Sequence, residues 1–190
     1  SRLFLAMSSV NPVAVTFCLQ HTLLSKDVNW TRENIQADIR RNLVWALEKL
    51  CFKKECYSVS SKIMALLAVA ENESWSNNAT GQMTQLFHIM LPGTQASLQD
   101  RIATLQYLKD SGKAYETLAL DCYDHAFNSG NFSRSNSGSS FGIKEEKDYM
   151  PKTNKEIIEY WEQYRDILIR WINADISIIE RVAQLVINHV

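Results

Sequence analysis

Apolar residues recur at helical spacing along almost the whole of this 190-residue chain. Residues three, four and seven positions apart share one face of a helix, whereas a strand would require strict alternation. Only six glycines and three prolines interrupt the pattern, and that scarcity favours long helices over a turn-rich β architecture. The sequence therefore predicts an all-α fold of about eight helices, arranged as an antiparallel bundle or a short irregular α-solenoid.

Several helix starts are encoded by capping residues. Asn11 and Pro12 are the residue types that favour the N-cap and the first helical position. The segments 97–100 and 153–156 have the spacing of a capping box, in which two side chains satisfy each other's backbone N–H groups. The helix that begins at Pro12 is predicted to carry one apolar stripe: Val13, Phe17 and Leu24.

Two interior segments have the apolar content of core helices. Thr31 is predicted to cap a long helix, with Ile35 and Ile39 on its apolar stripe. Arg40 suits the solvated side of the same helix. The segment 58–70 is apolar on nearly all faces, a pattern typical of a helix buried on several sides, and we expect it to be the central one.

The composition changes after residue 127. Serine, asparagine and glycine dominate 128–142, and the residues that follow to 152 are largely charged. Such a segment cannot bury enough apolar surface to offset its ordering entropy. We therefore divide the chain into a helical array (1–127), a flexible Ser/Asn/Gly-rich and then charged loop (128–152), and a C-terminal helical hairpin that packs on the same domain (153–190).

The charge balance argues against a nucleic-acid surface. The net charge is −1 and the isoelectric point is near 6.4, so the basic excess of such a surface is absent. No apolar run has the length needed to cross a bilayer. Ser8, Ser9 and Asn11 interrupt the apolar opening, which favours a segment of a larger multidomain protein over a signal peptide. The expected partner is a protein or another domain of the same polypeptide, not nucleic acid or a membrane.

The cysteines and the glycosylation sequons give conflicting indications of the compartment. Cys18, Cys51 and Cys122 lie in apolar helical patterns, where cysteine usually acts as a small buried hydrophobe, and this favours the cytoplasm. The sequons keep a secreted helical glycoprotein open as an alternative, and they begin at Asn29, Asn72, Asn78 and Asn131.

Two Cys-x-x-His steps are the candidate chemistry of the chain: Cys18 with His21, and Cys122 with His125. Positions i and i+3 share a helix face, so two such helices that met would form a tetrahedral Cys₂His₂ zinc site. Asp121 beside the second step also permits a thiol-dependent enzyme. We favour the simpler interpretation, in which the cysteines are core residues and the histidines lie at the boundary. No catalytic residue and no cofactor is predicted.

The segment 70–101 contains two amphipathic helical pieces, a polar connection that holds Trp75, and a break at Pro92. Specific protein partners anchor on a few large side chains, and tryptophan is prominent among them. Trp75 and Pro92 are therefore the candidate partner-binding residues, although a tryptophan in a connection also staples helix ends.

Two segments carry a resemblance to a known group of proteins. They read AENESWSNNATGQMTQLFHIMLPGTQASLQDRIATLQYL (70–108) and DYMPKTNKEIIEYWEQYRDIL (148–168). They resemble the helical region of large bacterial multidomain proteins, in which similar helices follow a P-loop NTPase of the signalling or phage-defence type. The phosphate-binding motif G-x-x-x-x-G-K-[ST] is absent from this chain. The resemblance implies a sensor or scaffold role beside chemistry encoded elsewhere, and we expect a non-enzymatic helical interaction or regulatory module.

Overall fold

The computed structural model describes residues 1–75, 77–128 and 147–188, and an all-α fold is confirmed there. These residues form ten α-helices and two turns of 3₁₀ helix, without a strand. The helices are α1 (Arg2–Val10), α2 (Pro12–Leu23), α3 (Val28–Asn34), α4 (Ala37–Phe52), α5 (Lys54–Val69), α6 (Ala79–Gln85), α7 (Leu98–Asp110), α8 (Glu116–Phe127), α9 (Asn154–Ala174) and α10 (Ile179–Asn188). The 3₁₀ turns, Lys113–Tyr115 and Ile176–Ile178, lead into α8 and α10. The predicted flexible segment 128–142 lies outside the described residues, apart from Asn128.

Helix α5 is the centre of the array, as the apolar pattern of 58–70 predicted. It packs against α2, α3, α4, α6, α7 and α8, and its buried residues include Ile63, Met64 and Leu67. On one side of this centre, α1 packs against α4 and α2 packs against α5. On the other side, α9 packs against α7 and α8, and α10 packs against α8. None of the helices in the described part of the chain combines the length and apolar character needed to span a bilayer.

The predicted caps differ in how completely they form. The Asn11 side chain accepts a hydrogen bond from the N–H of Ala14, and the capping box at 97–100 has both of its hydrogen bonds. Thr153 caps α9 by accepting from the N–H of Glu156 at 3.2 Å. The Glu156 carboxylate accepts instead from the N–H of Lys152 at 2.8 Å, so that second box forms only half of the predicted pair.

The predicted helix start at Thr31 is wrong. Thr31 is buried inside the short helix α3, whose N-cap is Asp27. The chain leaves the helix at Ile35, and α4 begins at Ala37, which has a left-handed φ of 47°. Arg40 is also misplaced by the sequence prediction, because it is 0% exposed and donates to the carbonyl of Ile35. The arginine side chain therefore closes the end of α3 rather than lying in solvent.

A short non-helical segment runs from the charged part of the predicted loop into α9. The N–H of Tyr149 donates to the carbonyl of Thr94 at 2.7 Å, and the Asp148 carboxylate accepts from the N–H of Gly93 at 2.9 Å. These bonds hold residues 147–150 beside the connection between α6 and α7. They position the start of α9 over the N-terminal end of α7.

Candidate interaction face

The structure does not bring the two Cys-x-x-His steps together. Cys18 is exposed on α2, whereas Cys122 is fully buried on α8. Within 1–75, 77–128 and 147–188, no group of three or more histidine, cysteine or acidic residues is arranged to hold a metal ion. Burial, reinforced by the Asp121 carboxylate, raises the pKa of the Cys122 thiol well above its usual value. Cys122 is therefore a protonated core thiol and a poor nucleophile or metal ligand.

The two histidines of these steps make unrelated contacts. His21 Nδ1 lies 2.9 Å from the carbonyl of Phe17, and its ring is tilted against the Phe17 ring at a centroid distance of 4.1 Å. His125 Nδ1 instead lies 2.7 Å from Nε2 of His88. Burial, the neighbouring His125 and the Arg101 charge lower the pKa of His88 to about 4, and burial also lowers the pKa of His125. This contact joins α8 to the segment after α6 as a neutral histidine pair.

Trp75, the first candidate partner-binding residue, is half-buried and packs against the core. Its Nε1 donates to the Glu73 carboxylate, and the Arg41 guanidinium lies 6.0 Å from the centroid of its ring. Glu71 organises the same connection by accepting from the N–H groups of Asn72, Glu73 and Thr80. This geometry supports the interpretation in which Trp75 holds neighbouring helix ends together.

Pro92, the second candidate, is buried. It lines a cleft of only about 10 Å³ together with Cys51 and Met64 of the core. Its ring is therefore covered by the fold and is not available to a partner. The physical reason is the Tyr149–Thr94 hydrogen bond and its neighbours, which draw the segment that follows Pro92 into the body of the protein.

A second cleft lies between the start of α7 and α9, where it is lined by Tyr149, Glu156 and Tyr160 among others, and its volume is about 80 Å³. Sites for small-molecule substrates usually measure about 300–1,000 Å³. Neither this cleft nor the one at Pro92 has room for an ordinary substrate.

The helices α1 and α2 pack against each other, and together they carry a set of exposed apolar side chains. We call this set the N-terminal face, and it consists of Leu3, Met7, Val10, Val13 and Phe17. Val10 is 75% exposed and Phe17 is 59% exposed. A contiguous exposed apolar patch on a soluble protein commonly marks a place of contact with another molecule.

The predicted apolar stripe of Val13, Phe17 and Leu24 is not the buried side of α2. That side consists of Val15, Thr16, Leu19 and Leu23, whereas Val13 and Phe17 are exposed. Apolar residues thus lie on both sides of α2, and this molecule covers only one of them. The signal in the sequence was the segment 3–25, which contains no aspartate, glutamate, lysine or arginine.

A comparable surface lies at the other end of the chain. Helix α10 buries Val182 and Leu185, together with Ile178 of the preceding turn. The exposed large apolar side chains of this end, which we call the C-terminal face, are Ile176, Ile179, Val186 and Ile187. Ile179 and Val186 are seven positions apart and therefore lie on one side of α10, whereas Ile176 lies in the turn that precedes the helix.

The chain matches no protein-family model, and neither a curated protein nor a solved structure shows significant similarity to it.

Proposed function

We propose that this chain is a non-enzymatic helical interaction module with a regulatory role, and that its N-terminal face docks a protein partner or another domain of the same polypeptide. The observation that carries the proposal is the incomplete cover of α2. That helix carries no charged side chain, and its exposed side holds the large apolar residues Val13 and Phe17.

The energetics favour covering this face. Full burial of a valine, leucine, methionine or phenylalanine side chain contributes roughly 1.5–3 kcal/mol relative to its exposed state. Five such side chains make up the N-terminal face. A partner that covers them gains this free energy, part of which is offset by the entropy lost on association.

The internal contacts give the enzymatic alternative less support. A zinc or thiol enzyme would need Cys18 and His21 to approach Cys122 and His125, and the described residues hold them in separate environments. The clefts at Pro92 and between α7 and α9 are also small for a substrate.

The secreted alternative depends on the use of the sequons. The Asn78 side chain caps α6 by accepting from the N–H of Gly81, and its amide donates to the carbonyl of Glu73. The amide of Asn72 donates to the carbonyl of Arg32. A glycan attached to either amide nitrogen would replace one of its two hydrogens beside the bond that the nitrogen donates, whereas the cap made by the Asn78 oxygen would remain. All four cysteines are free thiols, which supports a reducing, cytoplasmic setting.

The resemblance of 70–108 and 148–168 to helical regions that follow P-loop NTPases suggests the kind of partner. In such an arrangement, this module acts as a sensor or scaffold, and the N-terminal face meets the domain that performs the chemistry.

The test is a comparison of surface variants in a capture experiment. The purified chain is immobilised and exposed to lysate of its source organism, beside Phe17→Glu and the matched control Ile158→Glu. Ile158 lies on α9, is 53% exposed, and changes from apolar to acidic in the same way. We expect Phe17→Glu to lose the captured protein and Ile158→Glu to keep it, with circular dichroism and thermal unfolding unchanged in both. Equal capture by the two variants would remove the N-terminal face from the proposal.

A further inference from the structure

We draw no further inference here: the strongest candidate, the C-terminal face on α10 as a second docking surface, is an exposed set of apolar side chains, and nothing in the part of the chain that the structure describes shows what covers it.

Discussion

Arg40 and Arg101 occupy the same position in two helices, and each closes the end of the short helix before it. Each is the fourth residue of its helix, α4 or α7, and each is 0% exposed. Their Nη1 atoms donate to the carbonyls of Ile35 and Leu86, the C-cap residues of α3 and α6, at 3.5 Å in both cases. The same arrangement, a buried arginine that donates to the C-cap carbonyl of the preceding helix, thus occurs twice in the chain.

The two arginines differ in what balances their charge. Arg40 Nε lies 2.9 Å from the Glu71 carboxylate, and its Nη2 donates to the carbonyl of Leu67. Arg101 donates to the carbonyl of His88 at 2.6 Å, and its guanidinium lies within 6 Å of the ring centroids of two tyrosines, while its Nε and Nη2 have no hydrogen-bond partner.

We expect Arg40→Met to lower the free energy of unfolding by about 3–5 kcal/mol, because it leaves the Glu71 carboxylate without its cation. Arg101→Met should cost less than half as much, since it leaves no carboxylate unpaired. Arg41→Met is the control, because Arg41 forms an exposed ion pair with Asp38 beside its contact with the Trp75 ring, and its loss should cost less than about 1 kcal/mol. Urea unfolding measures all three. Equal costs for Arg40→Met and Arg101→Met would contradict the role given to Glu71.

The His88–His125 pair predicts a loss of stability in mild acid. Both pKa values are lowered in the folded protein, so the unfolded chain binds protons more readily as the pH falls. The contribution of the neutral pair to the free energy of unfolding is complete above pH 6.5, and it is lost as the pH falls toward about 4. The charged groups nearest the pair are Arg101, Asp121 and Asp124. Burial raises the pKa of Asp121, which opposes part of the effect.

Unfolding midpoints across this pH range measure that loss, which should be of the order of 2 kcal/mol. His88→Gln removes the most strongly shifted group and should flatten the pH dependence between pH 6.5 and 4. His21 is exposed, so the control variant His21→Gln should leave the pH dependence of stability unchanged. If both variants keep the wild-type slope, carboxylates elsewhere cause the acid sensitivity.

The burial of α5 predicts that Leu66→Ala is costly. Leu66 is 4% exposed on the helix that contacts six others. Its truncation should lower the free energy of unfolding by about 2–5 kcal/mol through lost transfer energy and the cavity that remains. Ile158→Ala on the exposed side of α9 should change it by less than about 0.5 kcal/mol. Comparable losses in the two variants would mean that α5 is not the centre of the core.

Trp75→Ala should lower stability without affecting docking. Its ring packs against the core and its Nε1 is bound to Glu73, so truncation removes packing within the protein. We expect a loss of about 1–3 kcal/mol and unchanged capture of the partner. Thermal unfolding and the capture experiment, run on the same preparation, measure the two effects. If the folded variant no longer captures the partner protein, Trp75 is a partner-binding residue after all.

The sequence predicted features that depend on local pattern. The apolar run of 58–70 identified the central helix because a helix without a polar side has to be buried. Asn11 and the box at 97–100 identified helix starts because their capping bonds join residues only three positions apart.

Features that depend on distant contacts were not predictable in this way. Arg40 looks like a solvated residue on its own helix, and its partner Glu71 is 31 positions away. For α2, the apolar pattern indicates burial but does not select a side. Packing decides it: Thr16 faces α5, where its hydroxyl lies 3.5 Å from that of Ser60, and this turns Val13 and Phe17 outward.

The distribution of the thiols has a practical consequence. Cys51, Cys56 and Cys122 are buried, while Cys18 is exposed on α2, one residue after Phe17. A maleimide fluorophore should therefore attach to the native chain at one place, on the helix that carries the N-terminal face. The protein thus has a built-in labelling site from which a change in fluorescence would report, without any cysteine being replaced, whether that helix is covered.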